Sequence, residues 1–175
     1  MPNPFRFPPS VPALIASSLL LVACQGNRHA PEKPSSGATA VEPCTSAQLA
    51  VAQAGSDAGA GSRALHFTLH NTSAHTCTLK GHAGMRLLDA AGHPLAGVTV
   101  KQREDSDIQS PLTLPPGGSA WFQLIFPGAT GGPPCHAVSA VEVTPPSGGA
   151  AQRLDLAFEV CGARVTVTPL QAPHT

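Results

Sequence analysis

From residue 44 onward, apolar and polar residues alternate in short runs, the pattern of β-strands that bury one face. In segment 64–71, leucine and phenylalanine alternate with histidine and threonine, and in segment 120–126 Phe122, Leu124 and Phe126 share one face. The other short apolar segments are 46–53, 76–79, 85–89, 94–100, 111–114, 138–143, 153–158 and 164–168. Turns rich in glycine and proline separate these segments, which is typical of an antiparallel β-sandwich. We therefore predict an all-β domain over residues 44–170 and a C-terminal tail over 171–175.

The residues before this domain follow a different pattern. Residues 11–22 form an apolar run that is shorter than the roughly 20 residues of a membrane-spanning helix. The run follows the basic residue Arg6 and ends in Leu21-Val22-Ala23-Cys24, which resembles a bacterial lipobox. We therefore predict a lipoprotein signal peptide over residues 1–23. An ordinary secretory signal peptide is the alternative interpretation.

The lipobox resemblance implies that Cys24 carries a diacylglycerol and becomes the first residue of the mature protein, often with an acylated amine. Two or three acyl chains anchor a protein stably, since each buried methylene contributes about 0.8 kcal/mol. Gln25, rather than aspartate, follows the cysteine, which implies sorting to the outer membrane if the source has two membranes. Residues 24–43 are rich in Pro, Ser, Gly and Ala and are predicted to form a flexible linker.

Cysteine usage supports export. The chain has five cysteines, and consumption of Cys24 by lipid leaves Cys44, Cys77, Cys135 and Cys161 for two disulfides in an oxidising compartment. We predict the pairs Cys44–Cys77 and Cys135–Cys161, because each joins neighbours in the chain. The alternative joins Cys44 to Cys161. The spacing matches no CxxC motif and no zinc motif, so structural zinc is not predicted.

Charge and motifs exclude several functions. Ten basic and ten acidic residues balance without a block of either sign, so we expect no nucleic-acid partner and no polybasic membrane patch. The motifs of serine hydrolases, P-loop proteins, zinc peptidases and β-lactamases are absent from the sequence. Asp105 and Asp107 lie in the charged segment 101–110, which we interpret as a solvated loop. We predict that the chain is not an enzyme and needs no cofactor.

Histidine and methionine supply the main candidates for a metal site. His66, His70, His82 and Met85 offer imidazole and thioether donors that suit copper, and His75 falls in the same span. However, His66 and His70 are about 13 Å apart along one strand, too far to bind one ion without a third residue folded onto one of them. The simpler interpretation is that these histidines face solvent opposite an apolar core.

Trp121 is the only tryptophan of the chain. If Phe122 and its neighbours in the alternation face the core, Trp121 lies on the opposite face of the strand. It is then either an anchor for a partner or a side chain covered by a loop.

The domain also resembles a known family in the order of its motifs. These motifs are Cys44, Leu69-His70-Asn71-Thr72-Ser73, Cys77-Thr78-Leu79-Lys80-Gly81, Leu87-Leu88-Asp89, Gly92-His93-Pro94-Leu95, Leu114-Pro115-Pro116-Gly117-Gly118-Ser119-Ala120, Cys135 and Cys161. The set resembles domain of unknown function four-two-three-two, found in exported bacterial lipoproteins. One departure is His82-Ala83, where the family usually has an aromatic residue and a proline. The resemblance implies an immunoglobulin-like β-sandwich at the cell surface and no known activity.

Together these patterns predict a lipid-anchored protein of the cell envelope that binds a protein or envelope partner. A periplasmic copper- or zinc-binding protein is the second hypothesis, and an envelope hydrolase is the third.

Overall fold

The computed structural model describes residues 40–104, 110–128 and 134–173. A short 3-10 helix spans Ser46–Gln48. The strands are β1 (Leu49–Gly59), β2 (Ser62–Asn71), β3 (Cys77–Leu79), β4 (Gly84–Leu88), β5 (Thr99–Gln102), β6 (Leu112–Leu114), β7 (Ser119–Pro127), β8 (Cys135–Thr144), β9 (Gln152–Cys161) and β10 (Arg164–Val167). Within the described ranges, no helix has the length and apolar character needed to cross a membrane.

The strands form a five-stranded sheet in the order β1-β2-β7-β10-β5, a three-stranded sheet in the order β4-β8-β9, and the pair β3-β6. The predicted all-β sandwich is confirmed. Its antiparallel order has one exception among the named strands, because β5 runs parallel to β10. Parallel neighbours need a long connection, and the chain between Gln102 and Arg164 supplies it.

The core lies between the sheets and follows the alternation of the sequence. Every second residue of β7, from Ala120 to Phe126, is buried, and the same holds for Leu65, Phe67 and Leu69 of β2. The rings of Phe67 and Phe122 stack with their centroids 5.4 Å apart. Burying each such side chain contributes about 1.5–3 kcal/mol, so this central pair of strands stabilises the sandwich most.

Both predicted disulfides are present, Cys44–Cys77 and Cys135–Cys161. They lie at opposite ends of the long strands. Cys44 accepts a hydrogen bond from Ser147, just beyond the last residue of β8, whereas Cys135 is the first residue of β8. We call the first the Asn71 end, because β2 finishes there at Asn71, and the second the Cys135 end.

The edge strand β1 is covered at its beginning by a side chain of the other sheet. The amide of Gln152 donates to the carbonyl oxygen of Leu49 and accepts from the backbone N–H of Val51, at 2.6 and 3.0 Å. Further along, the Gln53 amide donates to the carbonyl of Gly55, where a bulge interrupts the pairing of β1 with β2. These contacts satisfy backbone groups that an edge strand otherwise leaves open to pairing with other chains.

Several predicted boundaries change. The first predicted strand, 46–53, begins with the 3-10 helix, and β1 then continues beyond the predicted end through Gly55 to Gly59. The turn itself is Ala60-Gly61, where both residues have positive φ, as a two-residue hairpin requires. Segment 94–100 contributes only its last residues to β5, which extends into the charged segment through Lys101 and Gln102.

Strand bridges also occur one residue beyond each predicted end of the domain. Pro43 of the predicted linker forms a bridge with Thr78, and Gln171 of the predicted tail forms one with Trp121. The signal peptide, Cys24 and the linker up to residue 39 lie outside the described residues, as do Asp105 and Asp107.

Candidate functional site

The outer face of the β2–β7 pair carries three of the candidate residues, His66, His70 and Trp121. We call it the His66–Trp121 face; it consists of His66, Thr68, His70, Ser119, Trp121, Gln123 and Ile125. The register places His66 opposite Gln123, Thr68 opposite Trp121 and His70 opposite Ser119. Because side chains alternate along a strand, the same pairing that buries Phe67 and Phe122 displays these residues on the other side.

His66 contacts the side chains of Trp121, Asp57 and Gln123. Its ring stacks with that of Trp121, with centroids 5.9 Å apart and planes inclined by 26°. Its Nε2 atom lies 2.9 Å from Asp57 Oδ2 and 3.0 Å from Gln123 Nε2. An unprotonated Nε2 accepts a hydrogen bond from Gln123, whereas a protonated Nε2 donates one to Asp57. Protonation at this atom therefore exchanges one partner for the other.

Trp121 lies opposite the core, as the alternation predicts, and it is half-buried. Its indole N–H donates to the carbonyl oxygen of Ala172 at 2.8 Å, and its backbone exchanges two hydrogen bonds with Gln171. The C-terminal segment thus holds the indole in place without burying it completely. A half-buried, fixed indole beside histidine, glutamine and aspartate presents both apolar area and hydrogen-bonding groups.

A serine and a histidine also meet on this face. His70 Nδ1 lies 3.0 Å from Ser119 Oγ, in a contact that the separation of 49 residues hides in the sequence. A nucleophilic serine needs a base that is itself oriented by a third group. Within the described ranges, Ser119 is the only side-chain hydrogen-bond partner of His70, and His70 is exposed. The pair therefore lacks the third member of a catalytic triad in this part of the chain.

The four metal candidates do not form one cluster. His66 and His70 lie on the outer face of the larger sheet, whereas Met85 is a core residue of β4. The His82 ring contacts the carbonyl oxygen of Arg103 at 2.8 Å through Nε2. His82 is part of the motif that departs from the resembled family, and this contact links the loop after β3 to the end of β5.

The described residues contain a different cluster of possible ligands at the Cys135 end. It consists of Cys135, Glu159 and Cys161, whose potential ligand atoms lie within 4.8 Å of one another. Sequence spacing did not reveal it, because Cys135 joins Glu159 and Cys161 only through the pairing of β8 with β9.

The motif around Asn71 serves the fold rather than a ligand. Asn71 is fully buried, and its Nδ2 donates to the carbonyl oxygens of His75, Leu114 and Pro115. Its Oδ1 accepts from the backbone and the hydroxyl of Ser73. Asn71 thus clamps the turn after β2 onto the loop between β6 and β7.

The model of a family described as Domain of unknown function (DUF4232) matches residues 44–171. The match begins at the first disulfide cysteine and includes Gln171, which pairs with Trp121. No curated protein and no solved structure matches the chain.

Proposed function

The chain belongs to this family of domains of unknown function, and from that premise we propose that it is a lipid-anchored binding module of the bacterial cell envelope. The role proposed is binding and not catalysis. Two parts of the proposal are separable: where the protein is held, and which surface it uses.

The first part of the proposal is the lipid anchor, and the pairing of the other four cysteines supports it. All four cysteines in the described ranges are disulfide-bonded, which fits an oxidising compartment. Of the five cysteines in the sequence, Cys24 alone is used by neither bond, and it follows an apolar run and a small residue. A lipobox cysteine has this position and this chemistry, since its sulfur carries the lipid.

The length of the predicted linker is compatible with a tether between the lipid and the domain. Residues 24–39 separate the proposed lipid from the first described residue, and a chain of that length spans at most about 58 Å. The domain begins immediately afterwards, where Thr78 donates to the carbonyl of Glu42 and Cys44 donates to that of Thr78. Such a tether allows the domain to reach partners in the envelope while it stays attached.

The second part rests on the His66–Trp121 face. Tryptophan contributes strongly to binding when it is held in place, because little conformational entropy is then lost on association. Trp121 is fixed by Ala172 and flanked by His66, whose Nε2 has two alternative partners. The proposed partner is a protein or envelope component with both apolar and hydrogen-bonding groups.

Metabolic labelling with an alkyne fatty acid tests the anchor. The wild-type chain should become labelled and remain in the membrane fraction, whereas Cys24→Ala should be unlabelled and soluble in the exported fraction. Cys24→Ser serves as a second variant of nearly the same size. Label that persists in both variants contradicts the lipid anchor.

Site-specific photo-crosslinking in intact cells tests the surface. A photoreactive amino acid at Thr68, beside Trp121, should give crosslinks that Trp121→Ala removes. The same amino acid at Arg86, which pairs with Glu142 on the smaller sheet, is the control and should give none of these adducts. Equal adducts from both positions contradict the assignment of this face.

A further inference from the structure

We propose that Cys135, Glu159 and Cys161 form a site for a thiophilic divalent cation of the zinc class once a dithiol has reduced the Cys135–Cys161 disulfide. The disulfide and the metal site are alternative states of the same two sulfur atoms. This inference is independent of the lipid anchor and of the His66–Trp121 face.

The strand pairing places the three side chains together. Cys135 and Cys161 are directly opposite each other in the β8–β9 ladder. The backbone of Gly162 donates to the carbonyl of Pro134, so the cysteines next to this bonded pair occupy a non-hydrogen-bonded position, where side chains approach most closely. Glu159 precedes Cys161 by two residues and therefore lies on the same face. Opposite Glu159 stands Ala137, whose methyl group leaves the space beside the carboxylate open.

Accessibility separates this bridge from the other one. Cys135 and Glu159 are exposed, and only Cys161 is buried. Both cysteines of the Cys44–Cys77 bridge are buried, at 0% and 2% exposure. A reductant can therefore approach the Cys135 side of its bridge from solvent, whereas the core covers the other bridge.

The reduction is an ordinary thiol–disulfide exchange. The thiolate of a dithiol attacks Sγ of Cys135, forming a mixed disulfide and releasing Cys161 as a thiolate. The second sulfur of the reductant then displaces Cys135, and the reductant leaves as a disulfide. The two electrons remain on the sulfurs of the chain, and a bound divalent cation replaces the two protons that the thiols would carry.

The resulting donor set fits a zinc-like ion. Two thiolates and one carboxylate provide three negative charges, and such ligands bind zinc at about 2.3 Å for sulfur and about 2.0–2.2 Å for oxygen. Tetrahedral binding at these bond lengths needs the two sulfurs about 3.8 Å apart, so they move apart once the disulfide is reduced. Cys135 is the first residue of β8, so a change of its side-chain rotamer takes place at the end of the strand. The fourth position is left for water.

Cadmium titration of the full chain in detergent tests the proposal. The protein is reduced with dithiothreitol under native conditions, desalted without oxygen and titrated, and thiolate-to-cadmium charge-transfer absorption is recorded. One cadmium should bind per chain, zinc in excess should compete for the same site, and the oxidised protein should give no absorption. Alkylation followed by mass mapping should find Cys135 and Cys161 modified and the Cys44–Cys77 bridge intact.

A pair of variants isolates the carboxylate. Glu159→Gln should weaken cadmium binding by about tenfold or more while keeping the sulfur absorption, because one ligand is lost. Asp155→Asn removes a neighbouring exposed carboxylate of β9 that pairs with Arg153, and it should change nothing.

Three results would overturn the proposal: no absorption after complete reduction of the bridge, equal affinity in wild type and Glu159→Gln, or binding that persists in Cys135→Ala/Cys161→Ala. If reduction unfolds the chain, added cadmium should restore the folded fluorescence of Trp121 at a concentration about tenfold lower in the wild type than in Glu159→Gln. A failure to restore it also rejects the site.

Discussion

The two ends of the sandwich use the same covalent device in different surroundings. At the Asn71 end, the Cys44–Cys77 bridge is buried beside a fully bonded asparagine, and Leu114 connects the two because it pairs with Cys77 and accepts from Asn71. At the Cys135 end, the bridge joins a buried cysteine to an exposed one, with a carboxylate nearby. The loops that the bridges close are similar, with sequence separations of 33 and 26.

This difference separates two contributions of a disulfide to stability: the covalent link itself and the packing around it. Chain-entropy arguments give both bridges about 3.5 kcal/mol, because that contribution depends only weakly on loop length. What differs is packing. The Asn71 end adds core contacts and buried hydrogen bonds to the covalent link, whereas the Cys135 end adds chemical access. We therefore expect the first end to dominate stability and the second to be the reactive one.

Removal of each bridge tests the comparison most strongly. Cys44→Ala/Cys77→Ala should lower the free energy of unfolding by about 5 kcal/mol, since it loses core packing as well as the link. Cys135→Ala/Cys161→Ala should lower it by only about 3 kcal/mol. Urea denaturation measures both. Equal losses would mean that burial of the first bridge adds nothing.

Asn71→Ala should cost about 3 kcal/mol, again measured by urea denaturation. The alanine leaves the carbonyl oxygens of His75, Leu114 and Pro115 and the N–H of Ser73 without this partner, and the contact with Leu114 is buried. Ser73→Ala removes only the hydroxyl contact and should cost about 1 kcal/mol. A mild effect of Asn71→Ala would show that the clamp can be replaced by water.

Gln152→Ala should cost about 1–2 kcal/mol, because it removes both hydrogen bonds to the edge of β1. It also exposes this edge to other chains, so concentration-dependent association should increase in light scattering. The exposed Gln53, whose amide contacts its own strand, is the matched control. Gln53→Ala should leave association closer to that of the wild type.

The smallest expected effect lies in the hairpin turn near the Cys135 end. Ala60 has a φ of 48°, a left-handed conformation that costs energy for a residue with a Cβ. Ala60→Gly should therefore raise the free energy of unfolding by about 0.5 kcal/mol. Ala58→Gly, in the extended part of β1, should lower it by a similar amount. A decrease for both variants would mean that the turn is not strained.

The sequence was most informative about features that follow from the alternation of residues along one strand or from the number of cysteines. Alternation in β2 and β7 predicted the core face and the position of Trp121, and the cysteine count predicted both bridges. Contacts created by strand pairing were not predictable. Asp57 beside His66, Ser119 beside His70 and Glu159 beside Cys135 each depend on a register that no local pattern records. The parallel pairing of β5 with β10 belongs to the same class.

The position of the first bridge has a mechanical consequence. A force that pulls on the chain from the N-terminal side of Cys44 passes through the sulfurs directly to Cys77 and bypasses the residues between them. The separation of 33 residues removes about 110 Å of extension from the stretched contour until the bond is reduced. Strands β1 and β2 are thus shielded from being peeled off by tension at this terminus. A single-molecule pulling curve should lengthen by that amount when a reductant is added to the stretched protein.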